Sequence, residues 1–299
     1  MFTGKKKQIR MDISIIIVSY NSGNILKDCL LSIIKNHTDN NPSVEIIVVE
    51  NYQKQHNTQV IINELVDASA IPIIFIQNPT NGGFGQGNNL GVQHSSGENL
   101  FFLNPDTIIT DKNTFSTIHS SLICNDIIVG FKLLTPTLQI NHSYSVFPEY
   151  FFLYPLIRIL HKKKFFLPNK ISLLNHLIWP WGAAFALKRE TFIQCGMFDP
   201  QIFLCYEEPY LMRRITNRQI KLLNISIIHL EGHNQIVSQE RMFSSLQSLD
   251  YYCHKYRKPF KRIFFHMYFS TILKTWLCPK NQNLLNLKRA LIQYKSQIK

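Results

Sequence analysis

Ile13-Ser14-Ile15-Ile16-Ile17-Val18, closed by Tyr20-Asn21-Ser22-Gly23, is a short apolar run that ends in a polar turn. Its length suits a strand and is too short for a helix. A run apolar at successive rather than alternate positions belongs to a strand covered on both faces. The pattern repeats at Glu45 to Val49, Ile71 to Ile76 and Asn99 to Leu103, with helix-like stretches Asn24 to Lys35, Asn57 to Val66 and Gln86 to His94 between them. Strands alternating with helices predict an α/β chain with a mostly parallel sheet flanked by helices, and such sheets take ligands at the carboxyl ends of their strands. The loops at those ends are Tyr20 to Gly23, Glu50-Asn51-Tyr52, Asn78 to Gly87 and Asn104-Pro105-Asp106. All are polar, and Glu50 and Asp106 give two of them a carboxylate.

After Asp106 the alternation weakens. A helix over Lys112 to Cys124 and a strand over Ile127 to Leu134 are expected, then turns or a hairpin to Pro148. An aromatic and basic excursion follows over 149–178, with Phe151, Phe152, Tyr154, Phe165 and Phe166 around Lys162-Lys163-Lys164. Trp179 to Leu187 reads as a turn into a strand, Arg189 to Gly196 and the segment near Pro209 as helices, and Ile220 to His229 as a last strand. From Val237 the pattern is helical, broken at Pro259 and Pro279.

Composition sets the class. The 299 residues, 45% of them hydrophobic, supply a core for one large or two modest domains and exclude a disordered chain. The formal charge of +13 is concentrated at the ends: residues 251–299 carry eleven basic and no acidic groups, and residues 11–250 hold 17 basic against 19 acidic. A neutral body offers no continuous basic track, so nucleic acid is not an expected partner, whereas a cationic tail suits an anionic membrane surface. The six cysteines form no C-x-x-C pair, no signal-peptide core precedes Ile13, and Arg158, Lys188 and Lys274 interrupt the longest apolar stretches. The expectation is a cytoplasmic protein with no membrane span.

Four features could carry chemistry. Asp106, at a strand's carboxyl end, is placed to hold a divalent cation such as Mg²⁺ or Mn²⁺ against a diphosphate, since these ions take only one or two protein carboxylates; its alternative is a helix cap. Asn81-Gly82-Gly83-Phe84-Gly85-Gln86-Gly87-Asn88-Asn89 is a glycine-rich turn that opens a helix and suits approach to phosphate or ribose, without the spacing of the dinucleotide fingerprint; its alternative is a plain turn. Glu207-Glu208 precedes Pro209 at a helix entry, where the dipole favours ionised carboxylates and adjacent residues point apart, so one can act as a base and the other anchor the loop. Simple capping is the alternative. His229, at the end of the last strand, is either structural or a metal or phosphate ligand.

In order along the chain, Ile15-Ile16-Ile17-Val18-Ser19-Tyr20-Asn21, Ile46-Ile47-Val48-Val49-Glu50-Asn51, Asn81-Gly82-Gly83-Phe84, Asn88-Asn89-Leu90-Gly91, Phe102-Leu103-Asn104-Pro105-Asp106-Thr107, Trp181-Gly182-Ala183, Gly196-Met197-Phe198-Asp199 and Phe203-Leu204-Cys205-Tyr206-Glu207-Glu208 resemble glycosyltransferase family 2, in particular its rhamnosyltransferase-like members of bacterial surface polysaccharide synthesis. The resemblance implies a GT-A, Rossmann-like fold over 11–235, with 236–299 a basic, aromatic helical extension. It also implies inverting transfer of a hexose or rhamnose from a uridine- or thymidine-type nucleoside diphosphate sugar to a hydroxyl of a growing, lipid-linked surface glycan. Tyr20, Asn21 and Glu50 would flank the base; Asn81, Gly83, Asn88, Asn89, Asn104 and Asp106 complete the donor side. Trp181, Gly182 and Glu207 would face the acceptor, Asp106 and His229 the metal, and Glu208 would be the catalytic base. The sequence departs from the family pattern at Glu50, usually aspartate, at Tyr210, usually a second aspartate, and at Ser145, where an arginine commonly precedes Phe147-Pro148. Those departures keep a second reading in view, a catalytically degenerate nucleotide-sugar-binding protein.

In the tail, Lys255, Arg257, Lys258, Lys261 and Arg262 precede Phe264, Phe265, Met267, Tyr268, Phe269 and Trp276, a mixture suited to the inner face of the plasma membrane. The competing expectation packs these aromatics against the catalytic domain.

Overall fold

In the computed structural model, which describes residues 10–52, 57–153, 176–216, 219–230 and 236–298, strand β1 (Ile13–Ser19) lies parallel to and between β2 (Val44–Asn51) and β4 (Asn99–Leu103). Strand β3 (Ile73–Asn78) extends the parallel set beyond β2. Helices α1 (Gly23–Asn36), α2 (Asn57–Val66) and α3 (Gly83–Gln93) connect them. The continuous apolar runs are explained by two cores. Ile13, Ile15 and Ile17 pack on one face with Leu26, Cys29 and Leu30 of α1, whereas Ile16 packs on the other with Val49 and Phe102. Successive strand residues point to opposite faces, so every position must be apolar. Helix α3 begins at Gly83, three residues ahead of the expected Gln86 start, which places several glycines inside it. Gly91 shows why they are tolerated: a Cβ there would meet Ile16 Cγ2 at 2.6 Å, so the helix lies closer to the sheet than any side chain allows.

Beyond β4 come β5 (Thr107–Ile109), α4 (Thr114–Ile123) and β6 (Ile128–Leu134). A small antiparallel ribbon of β7 (Tyr144–Val146) and β8 (Ile178–Pro180) flanks a 3₁₀ turn at Pro148–Leu153. Most of the expected aromatic excursion, 154–175, lies outside the described residues. Strand β9 (Ala184–Lys188) then inserts antiparallel between β4 and β6, β10 (Ile220–His229) runs parallel to β6, and β5 closes the edge against β10. The sheet order is β3-β2-β1-β4-β9-β6-β10-β5, with all strands but β9 and β5 pointing one way.

Two short helices, α5 (Arg189–Gln194) and α6 (Glu207–Arg214), precede β10, and three long ones follow it: α7 (Gln239–Lys255), α8 (Phe260–Leu277) and α9 (Gln282–Lys295). The breaks fall at the prolines the sequence offers, Pro259 and Pro279, which cannot continue a helix. These helices share a core with the sheet: Leu249, Tyr252, Phe264 and Tyr294 belong to the same buried cluster as Phe102, Phe198 and Tyr210. A buried charge knot reinforces the contact. Glu149 accepts from Arg213, Lys258 Nζ (2.9 Å) and the Tyr252 hydroxyl (3.1 Å), and the Arg213 guanidinium lies 3.8 Å from the centre of the Phe147 ring. Lys258 and Phe264, both expected at a lipid surface, are therefore engaged in packing. Among the described residues no helix is long and apolar enough to cross a membrane.

Candidate active site

The carboxyl ends of β4 and β10 meet α6 and the β8–β9 turn around a cavity of about 370 Å³ lined by Asn104, Trp181, Gly182, Glu207, Glu208 and His229, among others. Antiparallel pairing of β5 with β10 sets His229 opposite Thr107, and the Leu230 N–H donates to the Asp106 carbonyl at 2.8 Å. His229 Nε2 thereby comes within 3.4 Å of Asp106 Oδ2. The other carboxylate oxygen, Asp106 Oδ1, is buried and has no hydrogen-bond partner among the described residues. An orphaned buried carboxylate oxygen is costly unless a cation or ligand satisfies it. Oxygen and imidazole nitrogen side by side fit Mn²⁺ or Mg²⁺. Among the described residues no third acidic, histidine or cysteine side chain joins them, so diphosphate and water would fill the remaining positions.

The helix entry carrying the two glutamates is bent: Cys205 and Tyr206 both hold left-handed φ values, 63° and 66°. Non-glycine residues rarely adopt this conformation, and two in succession mark a turn held by its surroundings. The turn sends the carboxylates apart, as expected. Glu207 is 3% exposed, its Cγ packs near Gly85 of α3, and among the described residues its Oε1 has no hydrogen-bond partner. Glu208 is half-buried and reaches across the cavity to Gly182, whose missing side chain leaves room for it: a Cβ there would fall 1.5 Å from Glu208 Oε1. The expectation that the helix dipole keeps both ionised is corrected. Burial raises the Glu208 carboxyl to about 7, and burial, then the neighbouring Glu208 charge, raises Glu207 well above the ordinary range. One turn of dipole does not offset two adjacent carboxyls removed from water.

On the donor side, Tyr20 and Asn21 stand at the end of β1, Tyr20 largely exposed and Asn21 at φ 55°. Glu50 departs from its expected contact with a base. It is fully buried, Oε1 accepts from the Asn21 N–H at 3.3 Å, and Oε2 accepts from the Thr58 hydroxyl at 2.7 Å, so it positions the β1 turn from beneath. The glycine-rich segment departs similarly. Gly83, at φ 83°, has the Phe203 carbonyl where a Cβ would stand; Asn81 Oδ1 accepts from the Gly83 N–H at 3.1 Å. Asn88 donates to the Phe84 carbonyl, and Asn89 clamps the Phe198 backbone by donating to its carbonyl (2.8 Å) and accepting from its N–H (3.0 Å). Of these amides, Asn89 joins α3 to the loop that leads into α6, and Asn81 and Asn88 bond within the turn and the helix.

Tyr210, where the family pattern usually has a second aspartate, packs parallel to Tyr251 at 5.7 Å and edge-on to Tyr256 at 5.1 Å. Asp199 is tied to the same cluster by the Tyr251 hydroxyl at 3.0 Å. Burial would raise its carboxyl, but hydrogen bonds from the Gln201 N–H, Tyr210 and Tyr251 prevail and hold it low. The position serves helix packing here. Sequence reading missed Arg241 and Ser245 of α7, which line the cavity from the C-terminal helices; their only signal was a place in the first turns of a helix whose docking is non-local.

A large, mostly parallel sheet flanked by helices, with its cleft at the strand ends, is the architecture of the GT-A fold. Residues 14–118 match the family model described as Glycosyl transferase family 2. The chain is 28% identical over 243 residues, 79% of this chain and 71% of the other, to the low-salt glycan biosynthesis hexosyltransferase Agl10 of Haloferax volcanii. In structure it is similar to the mannosyltransferase PcManGT of Pyrobaculum calidifontis, solved with GDP-Man and Mn²⁺ (TM-score 0.58, 15% identity, 98% of this chain and 77% of that one). It is also similar to S. aureus TarS (TM-score 0.51, 16% identity, 80% of this chain), of whose length it spans 40%.

Proposed function

We propose that the chain transfers a sugar, with inversion, from a nucleoside diphosphate sugar to a hydroxyl of a growing lipid-linked glycan, working at the inner face of an anionic membrane. The observation that carries this reading is that His229, paired with Asp106, and Glu208 line one cavity. Inversion is a single displacement at the anomeric carbon. The acceptor hydroxyl gives its proton to the Glu208 carboxylate as its oxygen bonds to that carbon, and the bond to the diphosphate oxygen breaks with its electron pair leaving on the diphosphate. Asp106 and His229 would hold a divalent cation, which would supply charge stabilisation for that leaving group. Tyr20 and Asn21 receive the base, Asn104 the donor, and Trp181 and Gly182 border the acceptor.

The expected donors carry uridine or thymidine; the GDP-Man bound by the archaeal mannosyltransferase adds guanosine to those worth testing. Thermal stabilisation by a panel of nucleoside diphosphate sugars with Mn²⁺ or Mg²⁺ tests the reading, because a ligand of the folded state raises apparent stability by mass action. One donor should stabilise the protein only with metal present. No stabilisation by any donor would overturn the reading, and donor binding without turnover on any glycan would favour the degenerate binding protein, the role that Tyr210 in place of a carboxylate suggests.

A further inference from the structure

The catalytic cavity continues past Arg241. A second cleft of about 480 Å³ lies between α7, α8 and α9 and shares Cys205, Arg241 and Ser245 with the first. Beyond that shared waist its walls are apolar but for Ser238: Ile236, Val237, Met242, Leu246, Met267 and Leu287. The backbone along this wall is fixed, since the Val237 N–H donates to Asn283 Oδ1 (2.8 Å) and its carbonyl accepts from Asn286 (2.9 Å), pinning the segment to α9.

This chemistry selects an occupant. A sugar lying against methionine and leucine would leave most of its hydroxyls without partners, at a cost that an aliphatic chain does not incur. Thioether and branched aliphatic side chains adapt to a flexible hydrocarbon. A guanidinium binds phosphate oxygens in pairs, and Arg241 stands between the apolar cleft and the glutamates. Balancing the charge of Glu207 would account for a cation at this place but not for the apolar wall beyond it.

We propose that this cleft seats the aliphatic, phosphate-bearing end of the acceptor, with the chain among Met242, Met267 and Leu287, the phosphate on Arg241, and the sugar-accepting hydroxyl directed into the catalytic cavity. The inference rests on the sugar-transfer reading above and assigns its acceptor a site. It concerns a lipid phosphate as an individual molecule, distinct from a bilayer bound electrostatically by the tail.

Calorimetric titration of the full chain with farnesyl phosphate, below its aggregation concentration, tests it. One saturable site is expected, with farnesol and inorganic phosphate each about tenfold weaker or worse. Arg241→Gln and Met242→Trp should each weaken farnesyl phosphate about tenfold or more, while the Lys261→Gln/Arg262→Gln double variant binds as wild type. Circular dichroism and donor stabilisation verify the fold of each variant, and Leu287→Trp replaces Met242→Trp should the latter fail to fold. The absence of saturable binding, undiminished binding after the cleft is filled, farnesol as tight as its phosphate, or equal loss in the Lys261/Arg262 variant would each overturn the proposal. Donor stabilisation without farnesyl phosphate binding removes the cleft and leaves the transferase reading standing. Failure of every donor removes the transferase reading on its own.

Discussion

The half-buried carboxyl of Glu208 makes opposite demands on stability and on activity. Folding raises the Glu208 pKa from its ordinary 4.5 to about 7, so between those values the folded protein keeps a proton that the unfolded chain has released. Stability therefore falls as pH rises through that window, and Glu208→Gln should flatten part of the slope in urea unfolding followed from pH 5 to 8. Activity has the reverse sign, because a base must be ionised: kcat/KM should rise with pH to a plateau above about 7. Glu208→Gln should lose about 10²–10⁴-fold in transfer while keeping donor affinity, whereas Glu207→Gln should alter stability or acceptor affinity. Wild-type turnover in Glu208→Gln would remove that residue as the base. Asp106→Ala should abolish turnover and make donor binding indifferent to chelator, and activity within a few-fold of wild type would take Asp106 out of the site. Both positions were legible in the sequence because strand ends and helix entries are local signals. That Glu50, Asn88 and Asn89 would turn inward was not, since their partners Thr58, Phe84 and Phe198 are fixed by packing and leave no motif of their own.

At the scale of elements, the β8–β9 turn and the entry of α6 work as one device, with Gly182 on one side and Glu208 on the other. Gly182→Ala places a methyl where the carboxylate lies. The end of a glutamate side chain can move aside, so the melting temperature should change little while transfer falls by about 10²-fold through misplacement of the base. A wild-type rate in this variant would show that Glu208 does not act from the position described. The parallel strands, the long helices and their proline breaks were readable from period and punctuation. The insertion of β9 between β4 and β6 was not, because Ala184–Lys188 carries the signal of a buried strand but none for its neighbours or direction. The seat of Tyr210 was equally hidden, since its partners Tyr251 and Tyr256 lie on a helix whose docking is decided by tertiary contacts.

For the whole molecule, the cationic ends and nearly neutral body acquire a geometry in α8. One side of that helix buries Phe260, Ile263 and Phe264, and the other leaves Phe269, Leu273, Trp276 and Leu277 between 58% and 78% exposed. A helix apolar on both sides needs a second apolar partner, and the excess of cations in residues 251–299, eleven basic groups and no acidic ones, opposes a second copy of the same surface. Binding to anionic vesicles should therefore weaken with salt and with neutralisation of Lys261 and Arg262, each contributing about 1 kcal/mol, while Trp276→Ser should weaken it independently of salt. Equal binding to neutral and anionic vesicles would rule out the electrostatic part. The pairing of β5 with β10 has a consequence for biosynthesis. The ribosome completes β1 to β4 early, and these strands pair among themselves, but the imidazole that joins Asp106 belongs to the last strand of the sheet. On the function proposed above, a nascent chain would assemble β1 to β4 well before the Asp106–His229 pair exists, and a product of stalled translation that ends before His229 should show no metal-dependent stabilisation by any donor.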